Sequence, residues 1–357
     1  MTSAQLDRSP ILTRDSGKVG DSLDRFADQL RDGWHQAQAV KLPSTYRDVT
    51  AIAICGMGGS HLGADILRSA LAKELKVPMT IVADYNLPAW VNHQTLVFCS
   101  SYSGSTEETL TALPAALKCK ARVVVVTNGG KLAAQATKFN VPLYQYTASE
   151  NPSGQPRLGV AYGMMAILAC LRKLKLVDVS EKDVEHLPTI AWEATKRYSV
   201  NKPVKNNIAK QLALQWEKKV PLLIGAEWTA GNLHSLNNQI NENAKTLAAW
   251  YQLPDLNHHL LEGLRNRAIT KQIHVLMILD DSYNKRTQTR FALTTKILKQ
   301  LGATVSTYKP RGATPMEKAI DLLAFGGYVS WYLAAVRNVK PADIPTVNYL
   351  KAQLAKS

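Results

Sequence analysis

Cysteine is scarce in this 357-residue chain, which has four thiols, Cys55, Cys99, Cys119 and Cys170, with no paired or metal-type spacing. That scarcity argues against a disulfide scaffold and against a cysteine metal site. Cys55 and Cys99 lie inside apolar, strand-like runs, so buried free thiols in a reducing cytoplasm are expected. Long apolar runs are missing too. No stretch approaches the ~20 residues that span a bilayer, so no membrane partner is expected. The first fifteen residues are polar with no apolar core, which argues against a secretory signal. The third absence is contiguous positive charge. The formal net charge of +15 raises the question of nucleic acid or another polyanion. Yet no block of five or more basic residues occurs. Lysines and arginines are scattered among acids and glutamines, as on a basic solvated surface, so no nucleic-acid partner is expected. Such a field would also draw in a phosphorylated metabolite.

What is present is an alternation of short apolar runs with helix-length patterns. The length suits two domains. Runs at 51–55, 79–83, 95–99, 122–127 and 143–146 predict five strands in the first half. The plan restarts after a polar, turn-rich stretch between 173 and 203, with strands at 220–225, 273–279 and 304–308. Helices are expected at 230–247, about 284–301 and 316–336. Strands alternating with helices predict α/β architecture, with two mainly parallel five-stranded sheets flanked by helices on both faces. The predicted boundaries are a helical segment at 1–48 packed on the first domain, domain one at 49–190 and domain two at 191–357. In the leading segment Leu23, Phe26, Ala27 and Leu30 share one helical face.

Two loops fall where ligands of such sheets bind, outside the carboxyl ends of strands. Gly56-Met57-Gly58-Gly59-Ser60 follows the first strand. Ser100-Ser101-Tyr102-Ser103-Gly104-Ser105-Thr106-Glu107-Glu108-Thr109 follows the third and opens a helix. A helix start offers unpaired N–H groups and partial positive charge. Hydroxyls add donors without bulk, and Gly104 lets the backbone approach a ligand closely. A phosphate oxygen suits that cradle. The same stretch also reads as a helix cap, with Ser103 or Ser105 as N-cap and a glutamate following, as in a capping box. The second half has no comparable loop, so one half is expected to hold the phosphate and the other to supply chemistry.

These two loops together resemble the sugar isomerase (SIS) domain. Asn238-Gln239-Ile240-Asn241-Glu242-Asn243-Ala244-Lys245, then Asp255-Leu256-Asn257-His258, narrow the resemblance to the bifunctional phosphoglucose/phosphomannose isomerases. So do Gly327-Tyr328-Val329-Ser330-Trp331-Tyr332-Leu333-Ala334 and the Leu350-Lys351 ending. The resemblance runs from about 51 to 351. It implies two tandem SIS domains and a cytoplasmic aldose–ketose isomerase acting on glucose 6-phosphate and fructose 6-phosphate, and on mannose 6-phosphate as well. It implies no metal or organic cofactor, and a homodimer in which His258 is supplied across the interface.

The resemblance also distributes roles. Glu242 would be the base that moves a proton between adjacent carbons, and the flanking Asn241 and Asn243 could orient it. An ionised base must not be clamped by a cation, so Lys245, three residues on, is expected to point elsewhere. His258 would open the sugar ring, since imidazole titrates near neutrality, with Lys351 as its companion; its neighbour His259 complicates the choice. Arg157 would stabilise the enediolate with its fork of donors. Ser101, Ser103, Ser105 and Thr106 would hold the phosphate, and Gly58, Gly59 and Ser60 would approach the sugar or the phosphate. His61 stays ambiguous, while His35, His93, His186, His234 and His274 read as packed or surface residues. Gly326 and Gly327 read as helix-packing positions. Two alternatives remain: an isomerase of another phosphosugar, and a phosphosugar-sensing SIS-domain regulator. The roughly 48 residues before Ala51 hold no convincing basic recognition helix for the latter.

Overall fold

The computed structural model describes residues 1–7, 15–354 and 356. The expectations for the first fifteen residues, for 1–48 and for 191–357 therefore fall partly outside the described residues.

The first sheet is built from β1 (Ala51–Cys55), β2 (Met79–Val82), β3 (Thr95–Ser101), β4 (Arg122–Thr127) and β5 (Leu143–Gln145). Its order is β2-β1-β3-β4-β5 and every pairing is parallel. The Val/Ile-rich runs give strands buried on both faces, as a sheet sandwiched by helices requires. Residue by residue, β1 pairs with β3 from Ala51↔Thr95 to Cys55↔Cys99. The chain leaves β1 first to one side and then to the other, so the topological switch point lies between β1 and β3. The loops that follow these two strands therefore open side by side.

The second sheet comprises β6 (Val220–Ala226), β7 (Ala249–Leu253), β8 (Ile273–Ile278) and β9 (Thr304–Tyr308), in the order β7-β6-β8-β9, again all parallel. It repeats the plan of the first with four strands among the described residues, where five were expected. Strand β7 was not foreseen. Its sequence, Ala-Trp-Tyr-Gln-Leu, lacks valine and isoleucine, and as an edge strand it is only half-buried.

Helices α1 (Ser3–Asp7), α2 (Val19–Asp24) and α3 (Phe26–Ala37) precede the sheets, then α4 (Gly59–Ala70), α5 (Glu107–Lys118), α6 (Gly130–Lys138), α7 (Val160–Lys173) and α8 (Glu181–Tyr198). The second half adds α9 (Ile208–Gln215), α10 (Ala230–Ala244), the single turns α11 (Leu260–Gly263) and α12 (Arg267–Thr270), α13 (Lys285–Leu301), α14 (Pro315–Val336) and α15 (Pro345–Leu354). The leading helical stretch breaks at Arg25, but Leu23, Phe26, Ala27 and Leu30 are all buried.

Helix α14 corrects the reading that no apolar run is long enough to span a bilayer. It is long and apolar enough to do so, and its most apolar window is wholly buried in the protein. A helix that is apolar all round belongs in a core. Here it packs against α8, α9 and α10. Close approach needs its glycines: a Cβ on Gly326 would meet Leu236 at 2.8 Å, and one on Gly327 would meet Leu23 at 2.4 Å. Of the four free thiols, Cys55 and Cys99 are buried as expected, and Cys170, inside α7, is buried too. Cys119, at the end of α5, is exposed.

Candidate active site

The serine-rich segment begins inside β3. Ser100 and Ser101 are strand residues, and Ser101 is fully buried. Its hydroxyl lies 2.8 Å from that of Thr106 and accepts from the Gly104 N–H at 3.1 Å, which folds the turn back on the strand end. Ser103 and Ser105 pair through their hydroxyls at 2.9 Å on the exposed side. The N-cap of α5 is Thr106, not Ser103 or Ser105, and no side chain caps the helix. The hydroxyl that could have done so is turned to Ser101. The capping-box reading therefore fails, and the first-turn N–H groups stay free of side-chain acceptors, as an anion cradle needs.

The turn is braced from β4. Gly104 has φ +65°, and a Cβ there would stand 1.8 Å from the Gly129 carbonyl oxygen. Leu132 N–H donates to Gly104 O at 2.9 Å. From the β1 side, Ser60 accepts the Tyr102 N–H at 2.9 Å and its carbonyl accepts from Ser100 Oγ at 2.8 Å. Ser60 thus ties the two loops together. Gly59 lies against the 156–157 backbone so closely that a Cβ would stand 2.6 Å from Arg157 N. Around Gly58, at φ +49°, no heavy atom lies within 4 Å of an added Cβ.

Arg157 sits in a short 3-10 turn, Pro156–Leu158, and is 1% exposed. Its five N–H groups make five bonds. Nε donates to Asn243 Oδ1 at 2.6 Å. Nη1 donates to Gln155 Oε1 at 2.8 Å and to Glu242 Oε2 at 3.0 Å. Nη2 donates to the Pro341 and Ala342 carbonyls at 2.9 and 3.1 Å. Burial pushes the guanidinium down from its ordinary value, and the Glu242 carboxylate opposes that shift.

Glu242 lies near the end of α10, with its side chain 30% exposed. Among the described residues its Oε1 accepts no bond. Asn241 and Asn243 do not orient it directly, as had been expected. Asn241 bonds the Asn237 carbonyl, and Asn243 bridges Arg157 to Ser330 Oγ. Asn243 therefore acts on the carboxylate through the arginine. Lys245 does point elsewhere. In a left-handed conformation after α10, it donates to the carbonyls of Glu242, Asn243, Lys340 and Pro341. Burial, then the nearby Arg157 charge, lowers its ammonium to about 8.

A cleft of about 590 Å³ opens over this assembly. It is lined by Tyr102, Ser103, Gly129, Gln155 and Pro156, and by Asn348 and Lys351 from α15. The structure thus brings Lys351 to the serine loop and, through Gln155, to the Arg157–Glu242 pair. It does not bring His258 there. That histidine is exposed at the end of a 3-10 turn after β7, with no hydrogen bond among the described residues. Beside it, Asn257 is fixed by Thr294 and Arg290, and His259 lies 3.6 Å from Asp255. His61 is buried on α4, 5.4 Å from the His234 ring, and burial, then His234, lowers it to about 4. His234 in turn bonds Asp65 at 2.9 Å.

Sequence reading missed Gln155, Asn348 and the 341–342 carbonyls. Asn348 stands one helical turn before Lys351, the only local clue available. The carbonyls carry no side-chain signal. No metal-type cluster of histidine, cysteine, aspartate and glutamate occurs among the described residues.

Residues 205–354 match the family model of the bacterial phospho-glucose isomerase C-terminal SIS domain. A bifunctional phosphoglucose/phosphomannose isomerase from Caldicellulosiruptor bescii is 29% identical over 339 residues, covering 94% of this chain and 98% of that one. The protein of the same name from Aquifex aeolicus is 28% identical over 85% of this chain and 90% of its own. A crystal structure of a hypothetical protein from Thermus thermophilus superposes with a TM-score of 0.74 at 17% identity, covering 99% and 94% of the two chains, and shares the fold. With both loops at the switch point and two sheets of one plan, this chain is similar along nearly its whole length to the bifunctional phosphoglucose/phosphomannose isomerases, and its second half matches a bacterial phospho-glucose isomerase C-terminal SIS domain.

Proposed function

We propose that the chain interconverts glucose 6-phosphate with fructose 6-phosphate, and mannose 6-phosphate with fructose 6-phosphate, through a cis-enediol. The observation that carries this reading is the Glu242 carboxylate, held at one oxygen by a buried arginine and left free at the other, with Gln155 joining that arginine to a cleft lined by Tyr102 and Ser103 of the serine turn and by Lys351. The phosphate docks on the turn formed by Ser101, Ser103, Gly104, Ser105 and Thr106, facing the open N–H groups of α5. Gly58, Gly59 and Ser60 form the neighbouring wall. Lys351, with His258, opens the ring. Glu242 then takes the proton from C2 and returns it at C1, and a neighbouring oxygen gathers negative charge as it does so. Arg157 offsets that charge from behind the carboxylate. Its donors already have protein acceptors, so its contribution is a fixed positive field and a fixed base more than a new bond. Mannose 6-phosphate enters the same enediol after rotation about C2–C3.

His258 is supplied by a second copy in this reading. Its exposure and its lack of a partner among the described residues support that, as does its place beside the edge strand β7, whose Trp250 and Tyr251 are only partly covered. The deciding experiment is a coupled assay of the purified protein on all three hexose phosphates, run with and without EDTA. Turnover of each, unchanged by the chelator, is expected. No turnover of any would overturn the reading, and loss in EDTA alone would overturn its metal-free part.

A further inference from the structure

A second cleft, of about 640 Å³, lies outside the carboxyl end of β9 and shares no lining residue with the first. Lys196 and Arg197 reach it from the end of α8. Lys202 and Lys205 come from the connection to α9, and Lys309 and Arg311 from the segment after β9. Among the described residues no aspartate or glutamate lines it. Two of the six cations are neutralised from outside. Arg197 pairs with the buried Asp321, which also accepts from Tyr308 OH, and Lys309 pairs with Asp281. Arg311 donates its backbone N–H to the same Asp321 carboxylate at 3.0 Å and its charge acts on that group. Lys196, Lys202 and Lys205 have no carboxylate partner among the described residues; Lys196 stands 3.1 Å from the Trp192 ring centroid. That leaves three lysines without a counter-charge around one concavity, with Arg311 sharing one carboxylate with Arg197.

We propose that this cleft binds a small polyphosphorylated anion, one carrying two or more linked phosphoryl groups. One phosphate monoester brings about −1.5 to −2 charges, so it takes at least two to balance three unpaired lysines. The volume is that of a small-molecule site, about 300–1,000 Å³. The site also lies where parallel α/β sheets present ligands, at strand carboxyl ends. Single-stranded nucleic acid fits less well, because the two tyrosines of the cleft, Tyr198 and Tyr308, are buried and offer no stacking platform. The choice of a nucleotide or an inorganic polyphosphate turns on what the phosphates carry, and the cleft recognises the part they share.

Titration calorimetry of the full-length protein at about 0.15 M salt, with inorganic tripolyphosphate, ATP and orthophosphate as probes, tests this. One tripolyphosphate per chain is expected, orthophosphate should bind at least tenfold more weakly, and fructose 6-phosphate should not compete. ATP binding as tightly as tripolyphosphate makes a nucleotide the source, and ATP binding more weakly makes it an inorganic polyphosphate. The triple variant Lys202→Ala, Lys205→Ala, Arg311→Ala should weaken binding tenfold or more while leaving hexose phosphate turnover intact. A control triple, Lys73→Ala, Lys118→Ala, Lys299→Ala, removes the same charge elsewhere and should bind as wild type. Equal loss in the control, displacement by fructose 6-phosphate, or binding of duplex DNA without tripolyphosphate would overturn the proposal.

Discussion

Arg157 Nη1 lies 3.0 Å from Glu242 Oε2, and each remaining N–H of that buried guanidinium meets a protein acceptor. The pair is therefore a structural joint, and in the proposed mechanism it is also the setting of the base. A lysine at 157 has three donors on one nitrogen and cannot span Asn243, Gln155, Glu242 and the 341–342 carbonyls. Breaking a buried charged network costs about 3–5 kcal/mol. Arg157→Lys is expected to lower the urea midpoint by a corresponding amount and to reduce kcat. A variant that unfolds at the wild-type midpoint would show that the network does not hold the fold.

Glu242→Gln keeps the shape and an acceptor for Arg157 but removes the base. Positioned general-base catalysis contributes about 10²–10⁴-fold, so kcat should fall at least a hundredfold with KM for the hexose phosphate changed only a few-fold. The thermal midpoint should also drop, because a 1%-exposed guanidinium loses its counter-charge. Steady-state kinetics on fructose 6-phosphate read the first effect. Wild-type kcat in a folded variant would remove Glu242 from the chemistry.

The parts of this site that were legible in the sequence are those held by local pattern. Val123, Val124, Val125 and Val126 announce a buried strand, and the glycine and serine runs after β1 and β3 announce loops at the switch point. What was not legible depends on distance along the chain. Asn243 reaches Arg157 across 86 positions, and that contact turns an expected orienter of Glu242 into a holder of the arginine. Strand β7 was hidden because an edge strand with Trp250 and Tyr251 half-covered lacks the valine and isoleucine of the central strands. The cap of α5 was misplaced because Thr106 had two possible partners, and the sequence does not say that Ser101 wins.

Two glycines of the phosphate region should respond differently to a methyl group. At Gly104 an added Cβ meets the Gly129 carbonyl at 1.8 Å in a left-handed conformation, so the serine turn must leave its brace. At Gly58, with φ +49° and ψ −127°, nothing lies within 4 Å, and the cost is backbone strain of about 1–3 kcal/mol. Gly104→Ala is expected to raise KM for hexose phosphates at least tenfold, together with a loss of inorganic phosphate inhibition. Gly58→Ala should leave that inhibition measurable. Equal effects of the two substitutions would speak against the braced turn.

Buried histidines set an acid limit. Burial holds His61 and His274 near 4, reinforced by His234 in the first and Lys219 in the second. The unfolded chain protonates both near 6.5, while the folded chain leaves them neutral until about 4. Stability conferred above that window is therefore lost as pH falls from about 6.5 to 4, by up to about 1.4 kcal/mol per pH unit for each histidine. Asp15, Asp24 and Asp321, raised by burial, act in the opposite sense. The comparison that isolates the histidines is wild type against the double variant His61→Gln, His274→Gln, by urea unfolding from pH 7 to 4.5. The variant should lose less stability over that range, and parallel curves would assign the acid limit to other groups.

The placement of His258 gives the most direct test of assembly. It is exposed, makes no hydrogen bond among the described residues and is absent from the described residues lining the cleft that holds Lys351. If a second copy delivers it, each active site of a twofold dimer draws Glu242 from one chain and His258 from the other. His258→Asn and Glu242→Gln proteins should each be nearly inactive alone. Unfolded together in equal amounts and refolded, half of the dimers are mixed. In a mixed dimer one site carries both defects and the other carries neither, so recovered activity should reach about a quarter of wild type. If each chain instead uses its own histidine, every site in every dimer keeps one defect, and mixing restores nothing. Sedimentation of the refolded mixture confirms that dimers formed, so a failure to regain activity separates the second outcome from a failure to refold.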